Sequence, residues 1–251
     1  MIQSFIPITV RQALRSLRRG LRKNIPWLMD VPPIGFAGLR RWRSTKPIRR
    51  NFGWDTGAQC VDRYYIERFL ELHSEDVRGR VLEIGDNSYT LRYGGARITK
   101  SDVLHAKAGN PQATLIGDLS SGEGIPNGVF DCVILTQTLP FVYDIRGLVK
   151  TLGRILAPGG VVLATSGGIA QIARYDSDQW GDFWRLTSMS AKRLFGEVFS
   201  PEDIEVESYG NVAVAIALLH GLVAEELRPE ELDFRDRDYE VTITVRALKS
   251  A

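Results

Sequence analysis

Short apolar runs that stop at turn residues alternate, through most of the 251-residue chain, with segments whose apolar positions recur at helical spacing. Val81-Leu82-Glu83-Ile84 is such a run. It halts at Gly85, as a parallel strand covered on both faces does before a sharp turn. Ile98 to Val103, Ala113 to Ile116, Val129 to Thr136 and Val161 to Thr165 read as further strands, and Pro126-Asn127-Gly128 and Pro158-Gly159-Gly160 mark turns before the last two. Between them lie helical patterns. Val61, Tyr65, Ile66, Phe69 and Leu70 share one face of a helix that ends near His73, and a second helix spans about Asp144 to Leu156. Strand and helix in alternation predict a parallel sheet. The tail departs from this: Ile204 to Ser208 and Tyr239 to Ala247 alternate like half-exposed strands around a helical stretch from Val212 to Leu227.

Ahead of this pattern stands a different segment. Val10, Leu14, Leu17 and Leu21 recur at helical spacing while Arg11, Arg15, Arg18, Arg19 and Arg22 occupy the remaining surface. Pro26, Pro32, Pro33 and Pro47 with several glycines then predict an irregular linker. The expected division is therefore residues 1–57, a basic helix and linker, and residues 58–251, one α/β domain. The formal net charge is only +2, yet residues 1–50 hold 12 Lys and Arg against the single acid Asp30. Such a helix can rest on the anionic lipids of the inner membrane surface, or pack on its own domain or a partner enzyme. Nucleic acid is not expected as a partner, because no basic or aromatic recognition motif accompanies the arginines.

Composition excludes several classes. No stretch reaches the roughly 18 apolar residues of a membrane span, and the first residues lack the basic-then-apolar order of a secretory signal. A cytoplasmic location is the expectation. Two cysteines, one inside an apolar strand pattern (Cys132), exclude a disulfide framework and a zinc cluster, and no metal site is expected.

The candidate chemistry sits at strand ends. Gly85 allows the backbone to approach a ligand closely, and Asp102, some 17 residues later near the end of the next strand, can accept two ribose hydroxyls. Together with Glu83, two acids at adjacent strand ends favour a ribose-containing ligand.

With these residues in place the chain resembles the class I S-adenosylmethionine-dependent methyltransferases, in particular the type 11 group. The resemblance covers roughly residues 59–248. It is carried by Glu83-Ile84-Gly85, Asp102, Gly117-Asp118-Leu119, the run Phe130 to Thr138, and Leu156-Ala157-Pro158-Gly159-Gly160 with the apolar strand after it. The fold that the resemblance implies is a Rossmann-like, seven-stranded, mostly parallel sheet with helices on both faces and an antiparallel C-terminal strand. The implied cofactor is S-adenosylmethionine. Glu83 and the backbone around Gly85 and Asn87 would face its methionine portion, Asp102 with Val103 its ribose, Asp118 and Leu119 its adenine, and Thr136 and Gln137 the floor of the site. One departure from the family pattern stands out: Asn87 and Tyr89 occupy the positions of its second and third alternating glycines.

The acceptor element implied after the fifth strand is Trp180 to Thr187, with Trp180, Asp182, Trp184 and Arg185 as its contacts. Rings that stack on CH groups and charges that fix hydroxyls suit a polyhydroxylated or anionic acceptor, so a small or glycan-like molecule is expected, methylated at oxygen. The same residues read equally as a hydrophobic staple for the helix that follows, Met189 to Phe199. Tyr64 and Tyr65 are either a cofactor lid or core. None of His73, His105 and His220 is placed as a base. Similar bacterial proteins look associated with surface-polysaccharide synthesis, an analogy of fold rather than of site. Two other readings stay open: a non-catalytic binding protein that kept the fold, and a nicotinamide-dependent oxidoreductase, against which the absence of Gly-x-Gly-x-x-Gly counts.

Overall fold

The structure, a computed structural model, describes residues 44–250. The basic helical pattern of Val10 to Arg22 and the linker prolines 26, 32 and 33 lie outside these residues. Seven strands form one sheet: β1 (Gly79–Ile84), β2 (Ile98–His105), β3 (Leu115–Ile116), β4 (Phe130–Thr136), β5 (Leu156–Gly167), β6 (Ile204–Tyr209) and β7 (Thr242–Leu248). Their order is β3-β2-β1-β4-β5-β7-β6. The pairs from β3 to β5 are parallel, and β7 runs antiparallel to both β5 and β6. The chain winds outward from β1 in one direction through β2 and β3, then in the other through β4 and β5. A crevice therefore opens outside the carboxyl ends of β1 and β4, the switch point at which such sheets bind ligands.

The period-2 pattern of each strand sorts its side chains onto two buried faces. Val81, Cys132, Ile134, Val161 and Leu163 meet Ile66, Phe69 and Leu70 of α1 (Val61–Leu72). Their neighbours Leu82, Val133, Leu135, Val162 and Ala164 face the other way. There they pack with Leu148, Leu152 and Ile155 of α2 (Ile145–Ile155). Helix α2 is started by Asp144, whose side chain accepts the Gly147 N–H at 2.9 Å. Helix α3 (Arg174–Trp180) precedes α4 (Ser188–Phe195), which adds Ala191, Leu194 and Phe195 to this second face. Thr187 and Ser190 exchange hydrogen bonds to begin α4.

A smaller core caps one end of the sheet. Val61 and Tyr65 of α1 pack there with Val214, Ala215 and Leu218 of α5 (Val212–Leu219) and with Leu232 of α6 (Pro229–Asp233). The helix expected to run from Val212 to Leu227 stops at Leu219 because Gly221 turns with φ +68°, and a Cβ there would lie 2.3 Å from the Arg49 carbonyl oxygen. Val223 then bridges Cys60 instead of continuing the helix. The strand read as starting at Tyr239 begins at Thr242. Between β1 and β2 the chain makes two short helical segments, Thr90–Gly94 and Gly95–Arg97, and no helix separates β2 from β3. Among the described residues no helix is long and apolar enough to cross a membrane.

Candidate active site

The crevice is a cavity of about 1000 Å³. Its floor is built by strand ends. Gly85 leaves β1 with φ +88°, and a Cβ there would meet no other atom, so the glycine is required by the backbone rather than by space. Gln137 leaves β4 with φ +49°, a left-handed conformation that costs a non-glycine residue about 1 kcal/mol or more. It is held there by its N–H, which donates to the Thr165 carbonyl at 3.0 Å. Ile84, Leu104, Leu119 and Thr136 line the same cavity. Asp118 lies on its wall, one carboxylate oxygen accepting both the N–H and the hydroxyl of Ser120 at 2.7 Å. Those bonds hold its carboxyl below the usual aspartate range.

Glu83, Asn87, Asp102 and Val103 are not on the cavity wall. The strand register explains Asp102. β1 and β2 pair Leu82 with Asp102 and Ile84 with Leu104, so Asp102 lies two residues below the level of the cleft. It is 1% exposed, and its oxygens accept from Arg80 Nε at 2.7 Å and from Thr114 Oγ1 at 3.0 Å. Burial works to raise its carboxyl, but the bonds from Arg80 and Thr114 hold it below the usual range. The residue that does end β2 at the cleft is His105. Its Nδ1 lies 2.7 Å from the Lys107 carbonyl oxygen, and its ring is edge-on to Trp180 at 5.6 Å.

Glu83 serves the loop beneath the cleft. Its carboxylate accepts the N–H groups of Tyr89 at 3.2 Å and Thr90 at 2.7 Å, fixing the turn that follows β1. Asn87 and Tyr89 need no glycine, since neither has a positive φ. The Tyr89 ring packs with the α1 side of the core, and its hydroxyl accepts from Arg63 Nη1 at 3.2 Å. Burial pushes the Glu83 carboxyl from 4.5 to about 7, against the pull of its backbone donors. Between those values the folded chain holds a proton that the unfolded chain has lost. Stability is therefore expected to fall as pH rises from about 4.5 to 7, by up to about 3 kcal/mol, and Glu83→Gln to flatten that slope. Thermal melting at pH 5 and pH 8 measures both; equal slopes in the two proteins would assign the pH dependence elsewhere.

A roof crosses the cavity between β5 and α4. Trp180, Asp182 and Arg185 line it, and Trp184 does not. Trp184 packs on the main core and donates Nε1–H to the Val142 carbonyl at 3.1 Å, the staple alternative. Asp182 and Arg185 form a two-pronged ion pair at 2.5 and 2.9 Å, and Arg185 also donates to the carbonyl of Gln171 at 2.7 Å. The Lys107 ammonium sits 4.7 Å from the centre of the Trp180 ring, tying the roof to the end of β2. Tyr64 and Tyr65 form no lid: the Tyr65 hydroxyl donates to the Leu232 carbonyl at 2.8 Å within the smaller core, and Tyr64 reaches Asp233.

Several lining residues carry no signal in the sequence pattern. Arg63 projects from α1, its guanidinium 5.5 Å from the centre of the Trp54 ring, and Asp62, Gln171 and Asp176 also border the cavity. Arg63 Nε and Gln171 Nε2 are buried without a hydrogen-bond partner, so the cavity holds donors for a polar guest.

Residues 79–164 match a family described as a methyltransferase domain. S-adenosylmethionine is the cofactor that this match supports. The cavity fits it in size, in the open backbone at Gly85 and in its mixture of apolar wall and unsatisfied donors. Among solved structures, an S-adenosylmethionine-dependent methyltransferase from Archaeoglobus fulgidus shares the fold with a TM-score of 0.52 at 11% identity, over 80% of this chain and 100% of that one. The N-methyltransferase NodS from Bradyrhizobium japonicum, in complex with S-adenosyl-L-homocysteine, gives 0.51 at 13% identity over 84% and 96%. A comparison with curated protein sequences found no match.

Proposed function

We propose that the chain is an S-adenosylmethionine-dependent methyltransferase that acts on an oxygen of a small or glycan-like acceptor. The observation that carries the acceptor class is the rim of the cleft, where Trp54, Tyr143, Tyr175 and Phe183 all line the cavity and all are exposed. Exposed rings around a polar cavity suit the CH faces of a sugar, while the charged groups beneath suit its hydroxyls. When bound, S-adenosylmethionine supplies an electrophilic methyl group on a sulfonium. Gly85, His105, Asp118, Leu119, Thr136 and Gln137 are the residues positioned to hold it. The roof, locked by Arg185 and Asp182, excludes water and orients the acceptor, which is the main contribution a protein makes to an in-line displacement. The basic residues 1–50, on charge alone, are proposed to bring the domain to an anionic membrane surface or a partner enzyme.

Calorimetry with S-adenosylmethionine and S-adenosylhomocysteine is expected to show one site. Methyl-labelled cofactor is then expected to label members of a panel of methyl glycosides and oligosaccharides, with the label stable to mild alkali as in an ether. Absence of cofactor binding would sink the methyltransferase reading. Binding with labelled amines and unlabelled glycosides would replace the acceptor class.

A further inference from the structure

We propose that Asp176 is the general base of this cleft and takes the proton of the acceptor hydroxyl as its oxygen is methylated; the inference rests on the methyltransferase reading above. Asp176 stands in the roof helix α3 and lines the cavity. That helix packs on the turn Leu139–Phe141, which directly follows the end of β4 at Gln137. The roof is fastened to this stretch by the Phe183 N–H, which donates to the Pro140 carbonyl at 2.8 Å, and by Trp184 Nε1–H on Val142. Asp176, from the roof helix, and the floor residues Thr136 and Gln137 therefore line the same cavity.

The carboxyls of the cleft differ in how they are engaged. Asp118 is occupied by Ser120, Asp182 by Arg185, and Asp55 is exposed on the rim. Asp62, in the first turn of α1, is raised by burial, but backbone N–H groups of its own turn and the neighbouring Arg63 already engage its carboxylate. Asp176 is half-buried, and among the described residues its carboxyl makes no hydrogen bond or ion pair. The charged groups that face it are Asp182, already bound to Arg185, and Arg63 from α1. On its own helix Arg174 and Asp178 pair with each other at 3.4 Å. An aspartate left without donors keeps its lone pairs for a proton. Burial, then the neighbouring Asp182, raises it above the usual aspartate range, against the pull of Arg63, which moves its basicity toward that useful to a base near neutral pH. Of the three histidines, His73 and His220 are off the cavity, and His105 lines it at the end of β2 with its Nδ1 against the Lys107 carbonyl and its ring edge-on to Trp180.

The acceptor oxygen forms its new bond to the methyl carbon while the sulfur–carbon bond breaks and leaves its electron pair on sulfur. The hydroxyl proton passes to the Asp176 carboxylate and then to water. Neither an oxidant nor a metal is needed for this balance.

The test uses the full chain labelled with carbon-13 at aspartate carboxyls, with D176N assigning the resonance. Its titration is expected above the ordinary aspartate midpoint; a midpoint at or below it overturns the proposal. With the best glycoside from the panel, D176N is expected to lower kcat by on the order of 10²- to 10⁴-fold, and D176E to recover part of it. S-adenosylhomocysteine affinity and melting temperature stay at wild-type values in D176N. Wild-type turnover in D176N, or turnover lost together with cofactor affinity, overturns the role. A chain that binds no cofactor fails the methyltransferase reading instead, so the two failures are told apart.

Discussion

Asp102→Ala is expected to destabilise the domain by about 3 kcal/mol while leaving the affinity of the folded protein for S-adenosylhomocysteine unchanged. A strand-end acid that bound ribose would give the opposite result, a stable protein with weakened binding. The difference follows from where the carboxylate goes. Asp102 is 1% exposed and is held by Arg80 and Thr114, with Lys100 at 3.4 Å, so its removal strips a cation and a hydroxyl of their acceptor inside the sheet. Arg80 is itself 25% exposed in its side chain and keeps its place 5.0 Å from the Phe130 ring centre, which lets water reach the guanidinium and holds the loss near the lower end for a broken buried pair. His105→Ala is the companion variant. It is expected to weaken S-adenosylhomocysteine by about 1 kcal/mol with little change in melting, as befits a partly exposed side chain on the cavity wall. Denaturant titration and calorimetry on the two variants decide the matter; weaker binding in Asp102→Ala at normal stability would return that residue to the site.

The sheet was legible because every strand announces itself locally. Val81 to Ile84, Val129 to Thr136 and Val161 to Thr165 are apolar on both faces, and the glycines and prolines between them mark where the backbone turns. Register is less legible. Nothing in the run Ile98 to His105 says which residue stands level with Gly85, and a shift of two keeps the same face while moving a carboxylate from the cleft into the sheet. The roof was legible only as composition. Helix α3 buries no residue, so it has no apolar period, and Asp176 lies among polar neighbours with nothing to single it out. Arg63 is hidden for the opposite reason: it rides on a helix whose apolar face draws all the attention, and only the fold turns its other side toward the cleft. Trp180 and Trp184, four residues apart and alike in sequence, separate only through their partners, one ring at His105 and the other hydrogen-bonded to the Val142 carbonyl and packed on the main core.

Arg185→Ala is expected to cost more than Asp182→Ala, and the double substitution to cost less than Arg185→Ala alone. The asymmetry comes from burial. The Asp182 side chain is 1% exposed and that of Arg185 28%, so losing the arginine strands a buried carboxylate with only the Ala173 N–H at 3.2 Å, whereas losing the aspartate frees a guanidinium that can turn toward water. The first change is expected to cost about 3 to 5 kcal/mol and the second about 1 to 2, with a coupling of about 1 kcal/mol or more between them. Because Arg185 also donates to the carbonyls of Gln171 and Trp184, its loss loosens both ends of the roof at once. Methyl transfer should then fall further than stability at the assay temperature would account for, since an open roof admits water and relaxes the acceptor's alignment. Melting, limited proteolysis of residues 168–187 and initial rates on the four proteins of the cycle test this. Additive losses would mean that the pair carries no shared energy, and wild-type rates in a roof that is cut readily by protease would remove the roof from the chemistry.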